Sequence, residues 1–181
     1  MRGRLTVALL VLLAVVGAVA APASHAEPGS TTITVAFDDM GPWTGFYKMD
    51  PHFFKSEGIS FASDYQVGFS NGHAVLVPAW GLSAPPYTMA ASFTRPVESV
   101  SASIRMHLQG TAQYTLVAYS ASGDAIASST ITLTQNGLDG NFYTVGVENL
   151  PMLAKSIVIV GGIDYGVRSI TYTYLGGQPA T

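Results

Sequence analysis

From Thr31 onward the apolar residues of this chain recur at every second position, and no stretch keeps the three-and-four spacing of an amphipathic helix. Successive strand side chains point to opposite faces, so this alternation describes strands with one face buried. Ile33, Val35 and Phe37 share one face, and Val100, Ala102, Ile104, Met106 and Leu108 repeat the pattern. Tyr114, Leu116 and Ala118 do so again, followed by Tyr143, Val145 and Val147 and by Ile170, Tyr172 and Tyr174. Ile157-Val158-Ile159-Val160 are four consecutive apolar residues, which predicts a strand covered on both faces. Shorter strands are expected at Ile59 to Ser63, Ala74 to Val77 and Tyr87 to Phe93. Ser122-Gly123-Asp124, Asn136-Gly137 and Asp139-Gly140 supply the positive φ angles of tight turns between them. Many strands joined by glycine-rich turns, with almost no helix, predict an all-β sandwich or barrel whose second half runs as a meander.

Before this region, Arg2 and Arg4 precede a Leu, Val and Ala run from Leu5 to Ala21, and then A-P-A-S-H-A to Ala26. A basic start, an apolar middle and small residues before a cut form the layout of a secretory signal peptide. Cleavage is expected after Ala26, with Ala23 the alternative. The competing reading is an uncleaved anchor, against which stands a run at the short end of a membrane span with no basic cluster after it. The domain organisation is therefore a signal peptide over residues 1–26 and a single domain over 27–181, with an ordered core from about 31 to 174. Export without a second membrane-length run implies a secreted or envelope-associated protein that leaves the membrane after cleavage.

The 181 residues contain no cysteine, which rules out disulfides, thiol catalysis, Cys-ligated zinc and iron–sulfur chemistry. Losing Arg2 and Arg4 with the leader leaves six of the eight basic side chains against all eleven acidic ones. Nucleic acid, whose binding requires clustered Lys and Arg, is not an expected partner.

Several short patterns bear on chemistry. Gly68-Phe69-Ser70-Asn71-Gly72 fits the G-x-S-x-G of a nucleophile elbow, but that motif requires a following helix, and Ala74 to Val77 reads as a strand. Asp38-Asp39 ends the first predicted strand before Gly41-Pro42. The pair is read either as turn chemistry that satisfies local N–H groups or as part of a structural calcium site. His52, His73 and His107 are isolated, without zinc spacing, and His107 is expected on a solvated strand face. Glu57, Glu98 and Glu148 offer carboxylates, with no pattern that pairs any two for glycoside hydrolysis. Trp43, Phe46, Tyr47, Phe53 and Phe54 crowd the longest irregular stretch, and Trp80 and Tyr87 flank Gly81 to Pro86. Trp43, Tyr47, Trp80 and Tyr87 are the expected ligand-binding platform, because exposed aromatic rings stack on sugar faces. The alternative is a loop packing its own aromatics into a satellite core, the favoured reading for Phe53 and Phe54.

The order of I-T-V-A-F-D-D-M (33–40), G-I-S-F (58–61), F-S-N-G (69–72), M-A-A-S-F-T-R-P-V (89–97), L-V-A-Y-S-A-S-G-D (116–124) and G-V-R-S-I-T-Y (166–172) resembles the jelly-roll β-sandwich domain of bacterial exported proteins, including those with PEP-CTERM sorting tails. More distantly it is similar to galactose-binding-like and carbohydrate-binding modules. The resemblance implies an antiparallel β-sandwich of jelly-roll type. Near the end that family carries an acidic residue, in G-x-D-[DN]-[LV]-x-[FY], where this chain has Arg168-Ser169, so a calcium contact from that position is not expected. No sorting tail is seen, so anchoring by that route is not expected either. Together these readings predict a secreted, non-catalytic module for a glycan or cell-envelope polysaccharide. A structural or protein-interaction module of the envelope is the alternative, and a small secreted hydrolase a less favoured third.

Overall fold

The computed structural model describes residues 29–40, 47–62, 65–78, 85–136 and 141–175. Twelve strands are described: β1 Ser30–Ala36, β2 Tyr47–Lys48, β3 Ile59–Phe61, β4 Gln66–Ser70, β5 His73–Val77, β6 Tyr87–Val97, β7 Ser99–Met106, β8 Gly110–Tyr119, β9 Ala125–Gln135, β10 Tyr143–Val147, β11 Ala154–Gly161 and β12 Tyr165–Leu175. Two 3-10 turns join them, Phe37–Met40 and Lys55–Glu57. One sheet runs β10-β7-β12-β5-β4-β2, with β1 also paired to β12, and the other runs β3-β6-β11-β8-β9. Every pairing is antiparallel.

This is the antiparallel β-sandwich of jelly-roll type that the alternation and the resemblance together predict. Val35, Val100, Ala102, Ile104, Met106, Tyr114, Leu116, Ala118, Val145, Val147, Ile170 and Tyr172 are all buried in one core between the sheets. Each large aliphatic or aromatic side chain there stabilises the fold by roughly 1.5–3 kcal/mol. The buried tyrosines keep their hydroxyls satisfied: Tyr165 donates to the Ile159 carbonyl at 2.8 Å and Tyr172 to that of Glu57. Burial raises the pKa of both phenols above the ordinary value.

Four expectations are corrected. The second half is not a meander, because β6, β7 and β8 alternate between sheets, as do β9, β10, β11 and β12. Only β8 and β9 form a hairpin there, and turn dipeptides cannot reveal which sheet the next strand joins. In β11, Ile157 and Ile159 are buried but Val158 and Val160 are half-buried, since small residues such as Ala90 and Thr88 flank them on the outer face. Strand β7 ends at Met106, which leaves Leu108 in an exposed turn. His107 is not solvated: its side chain is 12% exposed, with Nδ1 3.4 Å from Asp164 Oδ2. Gly166 makes room for it, since a Cβ there would lie 2.8 Å from the ring's Nε2.

Candidate functional site

A cleft of about 300 Å³ opens at one edge of the sandwich, lined by residues from β1, the Lys55–Glu57 turn, β6 and β12. Its construction begins in β6. Ser92 pairs with Ser156 and Val97 with Ala154, so the four residues Phe93–Pro96 stand opposite the single residue Lys155. Pro96 has no N–H to give the ladder, and a bulge of this kind bends a strand and re-aims its side chains. Arg95, carried in that bulge, reaches across to the other sheet, where its guanidinium lies 5.2 Å from the centre of the Tyr174 ring.

The floor and second wall come from residues 54–58. Phe54 is buried against Phe37 and Phe61, with edge-on ring contacts at 5.6 and 6.4 Å, and this pins the turn to the core. Gly58 ends the turn at φ +96°, where a Cβ would press to 3.1 Å from Thr94 Oγ1. That close approach lets Thr94 N–H bond to the Gly58 carbonyl at 2.8 Å. Lys155 Nζ donates to the Thr94 carbonyl at 2.6 Å and braces the same segment from outside. The cleft thus presents two tyrosines, the buried Tyr172 and the more open Tyr174, with Arg95, Lys55, Glu57, Ser56 and Thr94 around them. Ser56 Oγ donates to Glu57 Oε2 at 2.7 Å. An apolar ring beside several fixed polar groups can hold a polar, ring-shaped ligand without reacting with it.

A second polar centre lies where β12 changes partners. Val167 pairs with β5, whereas Ser169 to Leu175 pair with β1, and the register against β7 also shifts between Val167 and Ser169. Arg168 is the extra residue of this bulge, and its Nε–H donates to Asp38 Oδ2 at 3.2 Å. The chain leaves β1 at Ala36, so Asp38 and Asp39 sit on a 3-10 turn rather than on the strand. Asp38 Oδ1 accepts the Ala74 N–H at 2.8 Å, and Oδ2 lies 2.9 Å from His73 Nδ1. Burial pushes the Asp38 carboxyl up, but the bonds from His73, Ala74 and Arg168 together outweigh it and hold the pKa below 3.8. A carboxylate surrounded by a guanidinium, an imidazole and an amide N–H does not fit calcium, which takes six to eight oxygen ligands. Among the described residues no group of three or more His, Asp or Glu could hold a metal. Asp39 is exposed.

Ser70 ends β4 at a hairpin whose turn, Asn71-Gly72, has φ angles of 49° and 81°. A strand therefore follows the G-x-S-x-G stretch, as the sequence implies. Ser70 pairs in register with His73, which suggests a serine, histidine and aspartate array, yet Ser70 Oγ accepts from Arg105 Nη1 at 2.7 Å rather than from the histidine. Arg105 is itself buried. Glu57 lines the cleft, whereas Glu148 lines a separate hydroxyl-rich trough on the outer face of β7, β10 and β12.

Of the expected aromatic platform, Trp43 and Trp80 lie outside the described residues. Tyr47 is in β2, opposite Val67 of β4, and Tyr87 opens β6, where it is partly buried against the core. Phe54 joins the core as expected, while its neighbour Phe53 is exposed. Neither Arg95 nor Tyr174 is among the expected binding residues, and the alternation places Tyr174 on the buried face of the last strand. The one signal for Arg95 was a charged residue beside proline inside an otherwise uncharged strand.

No family model matches the sequence, and no curated protein matches it. Solved structures similar to this chain include CsCBM6-3 from Clostridium stercorarium in complex with cellobiose, at 16% identity, 77% of this chain, 92% of that chain and a TM-score of 0.41. CBM29_1, a family 29 carbohydrate binding module from Piromyces equi, matches at 13% identity over 80% of this chain and 90% of its own, with a TM-score of 0.45. A family two carbohydrate esterase from Cellvibrio japonicus matches at 13% identity over 84% of this chain but 36% of its own, with a TM-score of 0.41.

Proposed function

We propose that this chain is an exported, non-catalytic binding module that takes a glycan or cell-envelope polysaccharide in the cleft between Arg95 and Tyr174. The observation that carries this reading is the cleft itself: an aromatic ring at its wall, hydroxyls from Ser56 and Thr94, and charged groups that orient a ligand. Ser70 of the G-x-S-x-G stretch does not line this cleft, and its Oγ is engaged by Arg105.

Titration of the full chain with a panel of neutral and acidic glycans tests the reading. A binder is expected, and Tyr174→Ala should weaken it by about tenfold or more, equivalent to about 1.4 kcal/mol, with circular dichroism unchanged. If Trp43→Ala or Trp80→Ala abolishes binding while Tyr174→Ala does not, the ligand sits on those tryptophans and not in the cleft. A blank panel on folded protein would favour the second reading, a protein-interaction module. The observation on that side is β9, an uncharged edge strand of eleven residues suited to strand addition.

A further inference from the structure

We infer that the cleft selects an anionic saccharide, one whose sugar ring carries a carboxylate or an ester anion; this rests on reading the cleft as the glycan site. The inference comes from where the positive charge has been placed. Beyond the leader the chain has only six basic side chains against eleven acidic ones. Three of the six gather at this cleft: Lys55 and Arg95 line it, and Lys155 reaches the Thr94 carbonyl beside it. None of the three forms a salt bridge with a described residue, whereas Arg168 is neutralised by Asp38. The acidic member of the lining, Glu57, already accepts a bond from Ser56, so the lining carries two cations against one anion.

Arg95 is also prepared for the task. Its guanidinium rests over the Tyr174 ring at 5.2 Å, and stacking restrains a planar group while leaving its N–H edges free to donate. A restrained guanidinium matches the two oxygens of a carboxylate or of a sulfate or phosphate ester through paired hydrogen bonds. Lys55, exposed on its turn, adds a second positive charge. A neutral glycan would leave both cations without a counter-charge, and an acidic one supplies it.

The test compares the full chain's affinity for oligogalacturonate with that for its carboxyl-reduced counterpart, and for chondroitin sulfate before and after desulfation. The expected result is that a charged form binds at least about tenfold tighter than its neutral counterpart, with the gap shrinking in Lys55→Gln, in Arg95→Gln and at high salt. Loss on carboxyl reduction would identify a uronate, and loss on desulfation an ester anion. Equal binding of charged and neutral forms, or binding of neutral glycans alone, would overturn the inference and leave the glycan reading standing. Failure of every glycan to bind the folded protein would overturn both. A charged preference that survives in both variants would also overturn the inference, because the anion would then be held elsewhere. Should Arg95→Gln fail to fold, Lys55→Gln decides the matter, since its exposed side chain holds nothing in the core.

Discussion

A single carboxylate, Asp38, ties together three parts of the chain that are far apart in sequence. It accepts the first N–H of β5 after His73, faces the His73 ring, and takes the Nε–H of the Arg168 bulge. These bonds favour the ionised form, and burial, the largest opposing influence, does not overcome them, so its pKa lies below 3.8. The sign follows from linkage. A carboxyl depressed on folding adds stability above its unfolded pKa, and that stability is lost as the pH falls through the lower folded value. Asp38→Asn should therefore destabilise the protein by about 1–3 kcal/mol near neutral pH, since hydrogen bonds to a charged group are lost. The half-buried Arg168 pair is weakened by solvent screening. Urea unfolding from about pH 7 to about pH 2 should show the gap between wild type and variant closing once the pH drops below 3.8. A gap of constant size over that range would mean that the carboxylate's charge adds nothing to its hydrogen bonds.

Strands meet at fixed distances, and one glycine in β11 shows how little room remains. Gly161 faces Tyr114 and Tyr165, two fully buried rings in edge-on contact at 5.4 Å, and a Cβ added there would lie 2.7 Å from both. Neither ring can withdraw into solvent. Gly161→Ala should cost about 1–3 kcal/mol through overpacking, read as a lower urea midpoint. Gly162→Ala, whose Cβ would find its nearest neighbour at 3.8 Å, should be close to neutral. Similar losses in both would mean that the tyrosines are not the obstacle. At this scale the sequence was legible wherever burial is one-sided. Period-two runs marked β7, β8 and β12 because only one face of each strand meets the core. The bulge in β12 also left a trace, for Val167 and Ile170 are both buried although three positions apart, which breaks the alternation at Arg168. The cleft left no comparable mark. Glu57, Arg95 and Tyr174 belong to three distant segments, and only the pairing of sheets and the looped-out residues of β6 bring them together. The aromatic cluster around Trp43 drew attention because it is contiguous, and contiguity is all that sequence can display of a site.

Taken as one body, the sandwich depends most on its last strand. β12 joins β7 to β5 and also provides β1 with its strand partner, so the larger sheet would separate into β10-β7 and β5-β4-β2 without it. It contributes Tyr165, Val167, Ile170 and Tyr172 to the core, all nearly free of solvent exposure. At roughly 1.5–3 kcal/mol apiece, these four supply about 6–12 kcal/mol of burial. That is comparable with the entire stability of an ordinary domain, about 5–15 kcal/mol. β1 differs: it pairs with β12 alone and brings Val35 as its one buried side chain. A chain ending before Tyr165 should therefore be unfolded, whereas an internal deletion of Ser30–Ala36 should leave a weakened but cooperative fold. Near-ultraviolet circular dichroism and urea titration distinguish these outcomes: a flat aromatic signal is expected for the first truncation and a transition at lower urea for the second. Should the chain lacking β12 still unfold cooperatively, the smaller sheet would be self-sufficient and the larger one its appendage. The same strand carries Tyr174, and Arg95 lies on the opposite sheet, so any change that loosens the contact between sheets should weaken ligand binding before the protein unfolds.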